Sequence, residues 1–158
     1  MSLKFKIKVP GTSANIGVGY DCLGVALDYY LEIEVTESET IEFVENGKEF
    51  SIPLDENLIF EAANFTQKKL NKTIPNYKVN IIRNDIPIAR GLGSSSSAIV
   101  AGIMIVNRFL NNKLDSDSIA KLAVEMEGHP DNVIPAIFGG MVLAAHDKEN
   151  LSYALVPK

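Results

Sequence analysis

Residues 87–98 read Pro-Ile-Ala-Arg-Gly-Leu-Gly-Ser-Ser-Ser-Ser-Ala and continue directly into an apolar run that ends at residue 106. Glycine permits positive φ and close approach of a ligand, and serine is favoured at the start of a helix. A helix that begins here points free N–H groups and its positive dipole end at one spot, where phosphate is the usual ligand. We therefore predict a phosphate site. We call residues 87–97 the serine-rich segment. The residues of the predicted site are Pro87, Ile88, Ala89, Arg90, Gly91, Leu92, Gly93, Ser94, Ser95, Ser96 and Ser97.

The serine-rich segment matches neither of two common phosphate-binding motifs. It contains no lysine of the P-loop type, only Arg90 at its entry, and it lacks the third glycine of a dinucleotide fingerprint. A flexible Gly/Ser linker is the alternative interpretation. The nine apolar residues that follow favour a buried helix, and therefore a binding loop, over a linker.

Composition narrows the classes of protein and partner. The 158 residues, 46% hydrophobic, suffice for one domain or two small ones with a real core. A formal charge of −5 without a basic cluster argues against nucleic acid and against an anionic membrane surface. The single Cys22 excludes an internal disulfide, and no apolar run is long enough to span a bilayer. These features, with no signal-peptide pattern at the start, predict a soluble cytoplasmic protein.

Hydrophobic periodicity predicts an α+β fold in which helices cover one face of a two-layer mixed sheet. Residues 10–22, rich in small polar residues, are expected to form a loop, and Asn46-Gly47 a hairpin turn. Asp55 is expected to cap a helix that runs from residue 56 to about residue 70. The expected strands are 3–9, 25–35, 41–44, 49–52, 77–83 and 136–145. The expected helices are 56–70, one that starts from the serine-rich segment and ends at about residues 107–109, and 117–128.

Three segments together resemble the GHMP kinase family of small-molecule kinases. They are residues 9–24, Val-Pro-Gly-Thr-Ser-Ala-Asn-Ile-Gly-Val-Gly-Tyr-Asp-Cys-Leu-Gly; the segment 87–98; and residues 127–140, Glu-Gly-His-Pro-Asp-Asn-Val-Ile-Pro-Ala-Ile-Phe-Gly-Gly. The first and third are similar to the branch that phosphorylates homoserine. The resemblance implies the family's amino-terminal fold, like domain 2 of ribosomal protein S5. Members of the family are about twice this long, so residues 1–158 are expected to form the ATP-binding domain without the carboxyl-terminal one.

The resemblance also implies a reaction and a set of site residues. ATP would phosphorylate the side-chain hydroxyl of L-homoserine to O-phospho-L-homoserine, with Mg²⁺ as the metal. Residues 91–97 would hold the phosphates, and Glu127 with Ser95, or a neighbouring serine, would hold Mg²⁺; Glu127, Ser95 and Asp131 are the expected catalytic residues. Asn57 would lie near the adenine, or it could be only a residue of a helix capping region. The substrate would be bound by Asn15, Asp21, His129, Asp131 and Asn132. Asp21, Asp131 or the γ-phosphate itself could take the hydroxyl proton.

Simpler interpretations stay open for several of these residues. Glu127 could be an exposed helical residue, Asn15 and Asp21 could only form turns, and His129 could be a satisfied core residue. The alternative functions are another GHMP kinase of the mevalonate or sugar type, or a non-catalytic nucleotide-binding or dimerising module. A homodimer is compatible with each of these functions.

Overall fold

The computed structural model describes residues 2–17 and 22–158, which form seven strands and four α-helices. In chain order these are β1 (Lys4–Ala14), β2 (Leu23–Glu37), β3 (Glu42–Glu45), β4 (Lys48–Glu49), α1 (Leu58–Leu70), β5 (Tyr77–Asn84), α2 (Ser94–Phe109), α3 (Ser116–Glu127), α4 (Val133–Phe138), β6 (Met141–His146) and β7 (Leu151–Leu155). A short 3-10 turn, Leu54–Glu56, precedes α1.

One mixed sheet runs through the molecule in the order β4-β3-β5-β2-β6-β7. Strand β2 is central: it pairs with β5 through residues 31–37 and with β6 through residues 23–25, while β1 lies along its other edge. Strands β3 and β5 are parallel, and the remaining pairs are antiparallel. The α+β prediction is confirmed.

The core lies between this sheet and the helices. In β1, Phe5, Ile7 and Val9 are buried and alternate with exposed lysines, so one face packs and the other meets solvent. Helix α2 is buried against α1 at Gly102, where a Cβ would lie 2.4 Å from the Ile59 carbonyl oxygen. Glycine therefore sets how closely the two helices approach. None of the helices in residues 2–17 and 22–158 has the length and apolar character that crossing a bilayer requires.

Several local expectations are confirmed. Asn46 and Gly47 both have positive φ, as the predicted hairpin turn requires. Helix α2 spans the predicted range. Helix α3 begins after Asp115, whose side chain accepts from the Ser118 N–H, and ends at Gly128 in the left-handed conformation.

Other expectations are wrong, and each error has a physical cause. Residues 10–14 continue β1 and do not form a loop, because Thr12, Ser13 and Ala14 pair with β2 across a register irregularity at Gly11. The expected strand 136–145 begins only at Met141, after α4 and two glycines with positive φ.

Smaller corrections concern element ends. Helix α1 begins at Leu58 and is capped by Asn57, not by Asp55. The second hairpin strand is limited to Lys48–Glu49. Strand β7 was not expected from the sequence.

Candidate active site

The amino terminus of α2 has the geometry of an anion site. Gly93 occupies the N-cap position in the left-handed conformation, with φ of 71°, and provides no side chain to cap the helix. The first intrahelical bond there runs from the Ser97 N–H to the Gly93 carbonyl at 2.9 Å. The backbone N–H groups of Ser94, Ser95 and Ser96 therefore lie at the positive end of the helix dipole.

Residues 88–91 form an exposed turn that leads into this helix. Ala89 and Gly91 both have positive φ, 57° and 69°, and Ile88 is 71% exposed. Pro87 and Arg90 are also exposed. The whole serine-rich segment is thus an accessible turn followed by the first turn of α2, as the sequence predicts.

Glu127 faces the start of α2 from the last residue of α3. The Ser96 hydroxyl donates to its Oε1 at 3.3 Å, and the Ser95 hydroxyl contacts the same oxygen at 3.5 Å. A carboxylate at the negative end of a helix is disfavoured unless a positive group lies near it. Carboxylate and hydroxyl oxygens are ligands that suit Mg²⁺, which keeps waters and phosphates in its other positions. The donor set therefore fits Mg²⁺, and the neighbour of Ser95 that lies nearest the Glu127 carboxylate is Ser96.

Within residues 2–17 and 22–158, no group of three or more His, Cys, Asp or Glu residues is arranged so that it could hold a metal ion. A Mg²⁺ ion that works with a nucleotide needs only one or two protein carboxylates, since phosphate oxygens and water complete its shell. A site built on Glu127 alone is consistent with that chemistry.

Asp131 is a buried carboxylate with an unsatisfied oxygen. It is 3% exposed, and its Oδ1 lies 3.3 Å from Nδ1 of the half-exposed His129 without the geometry of a hydrogen bond. Its backbone carbonyl packs against Gly24, where a Cβ would lie within 1.8 Å. Because a buried carboxylate oxygen is costly without a donor, Asp131 is suited to receive a cationic or N–H group.

Thr12 belongs to the first motif and contacts residues of the other two. Its hydroxyl donates to Asn132 Oδ1 at 2.7 Å, and its backbone N–H donates to the Leu92 carbonyl at 3.0 Å. Gly93 lies so close that a Cβ there would be 2.2 Å from Thr12 Oγ1. Sequence reasoning missed Thr12, and its one signal was its place in the first motif, directly after Pro10-Gly11.

Two candidates of the first motif remain, Asn15 and Asp21, and the structure describes only Asn15. Asn15 is exposed with φ of 59°, a conformation typical of an asparagine in a turn. Asp21 lies outside the described residues, so its predicted contact with the substrate stays a prediction.

A cavity of about 240 Å³ adjoins the start of α2 and reaches the start of α1. Its lining includes Asn57, Ile88, Ser94, Ser95 and Ser97. The side-chain Oδ1 of Asn57 caps α1 by accepting from the backbone N–H groups of Ile59 and Phe60, whereas the buried Nδ2 has no hydrogen-bond partner. A larger cleft of about 530 Å³ lies beside it under the β3–β4 hairpin and shares Asn57 in its lining. The capping interpretation of Asn57 is confirmed.

Comparison with known proteins places this site in a family. The chain is 47% identical over 152 residues to the homoserine kinase of Clostridium novyi (strain NT), covering 96% of the chain and 51% of that protein. The solved homoserine kinase of Cytophaga hutchinsonii superposes with a TM-score of 0.79 at 27% identity, covering 98% of this chain and 52% of that one. The Methanococcus jannaschii mevalonate kinase superposes with a TM-score of 0.72 at 25% identity, covering 99% and 56%.

The chain spans about half the length of the curated relatives it matches. The family model described as "GHMP kinases N terminal domain" matches residues 57–140, just over half of the chain. That range holds the Asn57 cap, the serine-rich segment, Glu127 and Asp131. Because this family model covers more than half of the chain and the Clostridium novyi relative is 47% identical over 96% of it, the chain belongs to the GHMP kinase family.

Proposed function

We propose that this chain is the ATP-binding part of a homoserine kinase, which phosphorylates the side-chain hydroxyl of L-homoserine to O-phospho-L-homoserine in threonine biosynthesis. The observation that carries the proposal is the open amino terminus of α2, which faces Glu127 through Ser95 and Ser96. The relatives named homoserine kinase, 40–47% identical over nearly the whole chain, support the choice of substrate.

The phosphates of ATP would be held by backbone N–H groups of residues 91–97. Phosphoryl transfer depends on positioning and on stabilising charge, so N–H groups aimed at the phosphate oxygens act without a side-chain base. Glycine at positions 91 and 93 lets the backbone approach the phosphates closely.

Glu127 would hold Mg²⁺ together with Ser95 or Ser96. When bound, the ion neutralises charge on the phosphate oxygens. The two serines already contact one carboxylate oxygen of Glu127, so the protein presents a hydroxyl and a carboxylate on the same side of the phosphate site.

The base of the nucleotide would lie in the cavity beside Asn57. The free Nδ2 of that side chain can donate to an acceptor nitrogen of a purine, while Oδ1 is occupied as the helix cap. Asn57→Asp keeps the cap and removes the donor, so it should weaken ATP binding while α1 stays folded.

The amino-acid substrate would lie near Asp131 and Asn132, with His129, Asn15 and Asp21 as further predicted contacts. Its ammonium group would supply the donor that the buried Asp131 oxygen lacks. We assign these residues to binding and not to proton abstraction, since the γ-phosphate itself can accept the hydroxyl proton.

In this proposal residues 1–158 act as the amino-terminal domain, and full activity needs a carboxyl-terminal half like that of the relatives, which are about twice as long. The single cysteine, the exposed Cys22, suits a reducing compartment, so we place the reaction in the cytoplasm. A homodimer is compatible with the proposal and is tested by sedimentation.

A coupled ADP-release assay on the full-length gene product tests the reaction, with L-homoserine, mevalonate and galactose as alcohols. Turnover of L-homoserine, abolished in Glu127→Gln, is expected; turnover of mevalonate or galactose alone would replace the proposal by the other GHMP activities. The chain itself should gain about 2.7 kcal/mol of stability when Mg-ATP is present at 100 times its dissociation constant. If Mg-ATP binds and no alcohol is phosphorylated, the non-catalytic module is the better description.

A further inference from the structure

Thr12 is a buried residue that contacts both sides of the proposed site. It is fully inaccessible to solvent, and its hydroxyl makes the shortest side-chain hydrogen bond of the region, 2.7 Å to Asn132 Oδ1. Its backbone N–H holds the Leu92 carbonyl, immediately before the N-cap Gly93 of α2. One residue of β1 therefore touches the phosphate side through its backbone and the acceptor side through its side chain.

Thr12 makes these contacts at an irregularity in the pairing of β1 with β2. The register of β1 against β2 is irregular between Pro10 and Thr12. At Gly11, between them, a Cβ would lie 2.9 Å from the Leu92 carbonyl oxygen. An irregularity of this kind redirects a side chain from the regular alternation of a strand. Here it accompanies the close packing of the strand end against the serine-rich segment.

We propose that Thr12 is a positioning residue for the acceptor substrate, acting through Asn132; the inference rests on the proposed function. By donating to Asn132 Oδ1, Thr12 fixes which end of that amide faces the protein and leaves Nδ2 as the end that meets a ligand. The acceptor class that suits such an N–H donor beside the Asp131 carboxylate is an amino acid, which carries both a carboxylate and an ammonium group.

The two contacts of Thr12 predict that loss of its hydroxyl changes the KM for L-homoserine and leaves the KM for ATP nearly unchanged. Thr12→Val keeps the shape and the backbone N–H that holds Leu92, and it removes only the hydroxyl that holds Asn132. The phosphate side should therefore be preserved while the amide of Asn132 is released. A misplacement of about 1 Å can cost about 100-fold in rate, so a rise of about 10-fold in the KM for L-homoserine is a moderate expectation.

Steady-state kinetics of the full-length gene product test this difference between the two KM values. Thr12→Val should raise the KM for L-homoserine about 10-fold and change the KM for ATP less than about 3-fold. Thr12→Ser, which retains the hydroxyl, should restore the wild-type KM. Thr66→Val is the matched control, because Thr66 is equally buried and its hydroxyl donates to the Ala62 carbonyl within α1, away from the site.

A double-mutant cycle tests whether Thr12 acts through its partner. In an Asn132→Ala background, Thr12→Val should have no further effect on the KM for L-homoserine, because the group it orients is gone. The inference is overturned if the effects of the two substitutions multiply, if Thr12→Ser is as impaired as Thr12→Val, or if both KM values rise together.

A spectroscopic measurement on the 158-residue chain separates this inference from the proposed reaction. The side-chain NH₂ resonances of Asn132, identified by their loss in Asn132→Ala, should shift in Thr12→Val and stay in place in Thr12→Ser and Thr66→Val. Absence of L-homoserine turnover in the wild type would refute the proposed function alone. Unshifted Asn132 resonances in Thr12→Val would refute the positioning role alone.

Discussion

Replacing Gly93 by alanine is the sharpest test of the packing at the start of α2, where the phosphate site is proposed. Gly93 has φ of 71°, and an L-residue in the left-handed conformation costs about 1–2 kcal/mol. The new Cβ would also lie 2.2 Å from Thr12 Oγ1 and 3.0 Å from the Thr12 backbone nitrogen. Overpacking of this kind costs about 1–3 kcal/mol. Gly93→Ala should therefore lower the free energy of unfolding by about 2–5 kcal/mol.

Gly91→Ala separates the two contributions. Gly91 has nearly the same φ, 69°, and nothing lies within 4 Å of the position that a Cβ would take there, so its substitution carries the conformational cost alone. Urea denaturation of both variants, measured without nucleotide, should place Gly93→Ala about 1–3 kcal/mol below Gly91→Ala. A difference under about 0.5 kcal/mol would show that Thr12 does not press against the start of α2, and the reasoning would fail.

Three further predictions concern stability. The Tyr77 hydroxyl is buried without a hydrogen-bond partner, and burial raises the pKa of Tyr77, so Tyr77→Phe should raise the free energy of unfolding by about 1 kcal/mol in urea denaturation; a loss of stability would contradict this. The Tyr30 N–H donates to the Asp85 carboxylate, and this hydrogen bond lowers the pKa of Asp85. The hydrogen bond therefore stabilises the folded chain above the unfolded pKa of about 3.9, and this stabilisation is lost as the pH falls through the lowered pKa. Asp85→Asn should accordingly flatten the acid limb of a stability–pH profile, and an unchanged limb would argue against that bond. Gly102→Ala should lower the unfolding free energy by about 1–3 kcal/mol despite the helix propensity of alanine, because its Cβ would lie 2.6 Å from that of Ala62; thermal melting that shows stabilisation would mean that α1 and α2 can separate.

The elements that the sequence predicts well are those with local signals. The Asn46-Gly47 turn needs only two residues that tolerate positive φ, and α3 carries its own start and stop in Asp115 and Gly128. Local chemistry of this kind acts within a few residues, so it can be interpreted without the rest of the fold.

The elements that could not be predicted depend on distant partners. Residues 12–14 are small and polar, as in a loop, and become a strand only because residues 24–26 lie alongside them. Residues 133–138 are an apolar run whose period does not distinguish a strand from a buried helix. Pro135 is tolerated there because it lies in the first turn of α4, where its missing N–H has no helical partner to lose.

The same distinction applies to the candidate site. The serine-rich segment and Glu127 could be predicted, since a glycine before a helix and a carboxylate at a helix end are visible in the sequence. Thr12 could not, because a buried threonine within a stretch of Gly, Ser and Asn looks like part of a turn. Its importance depends on Leu92 and Asn132, which lie 80 and 120 residues further along the chain.

The charges around α2 bear on how the proposed site would hold a nucleotide without a P-loop lysine. Within residues 87–97 the one cationic side chain is Arg90, which lies in the exposed turn. In the proposed site, the fixed positive charge that this segment would offer the phosphates is that of the amino terminus of α2, whose dipole is worth about half an elementary charge. Opposite it stands Glu127, which adds negative charge and would repel a bare phosphate. A divalent cation between them reverses that repulsion, so this arrangement favours a nucleotide bound together with its metal over the nucleotide alone.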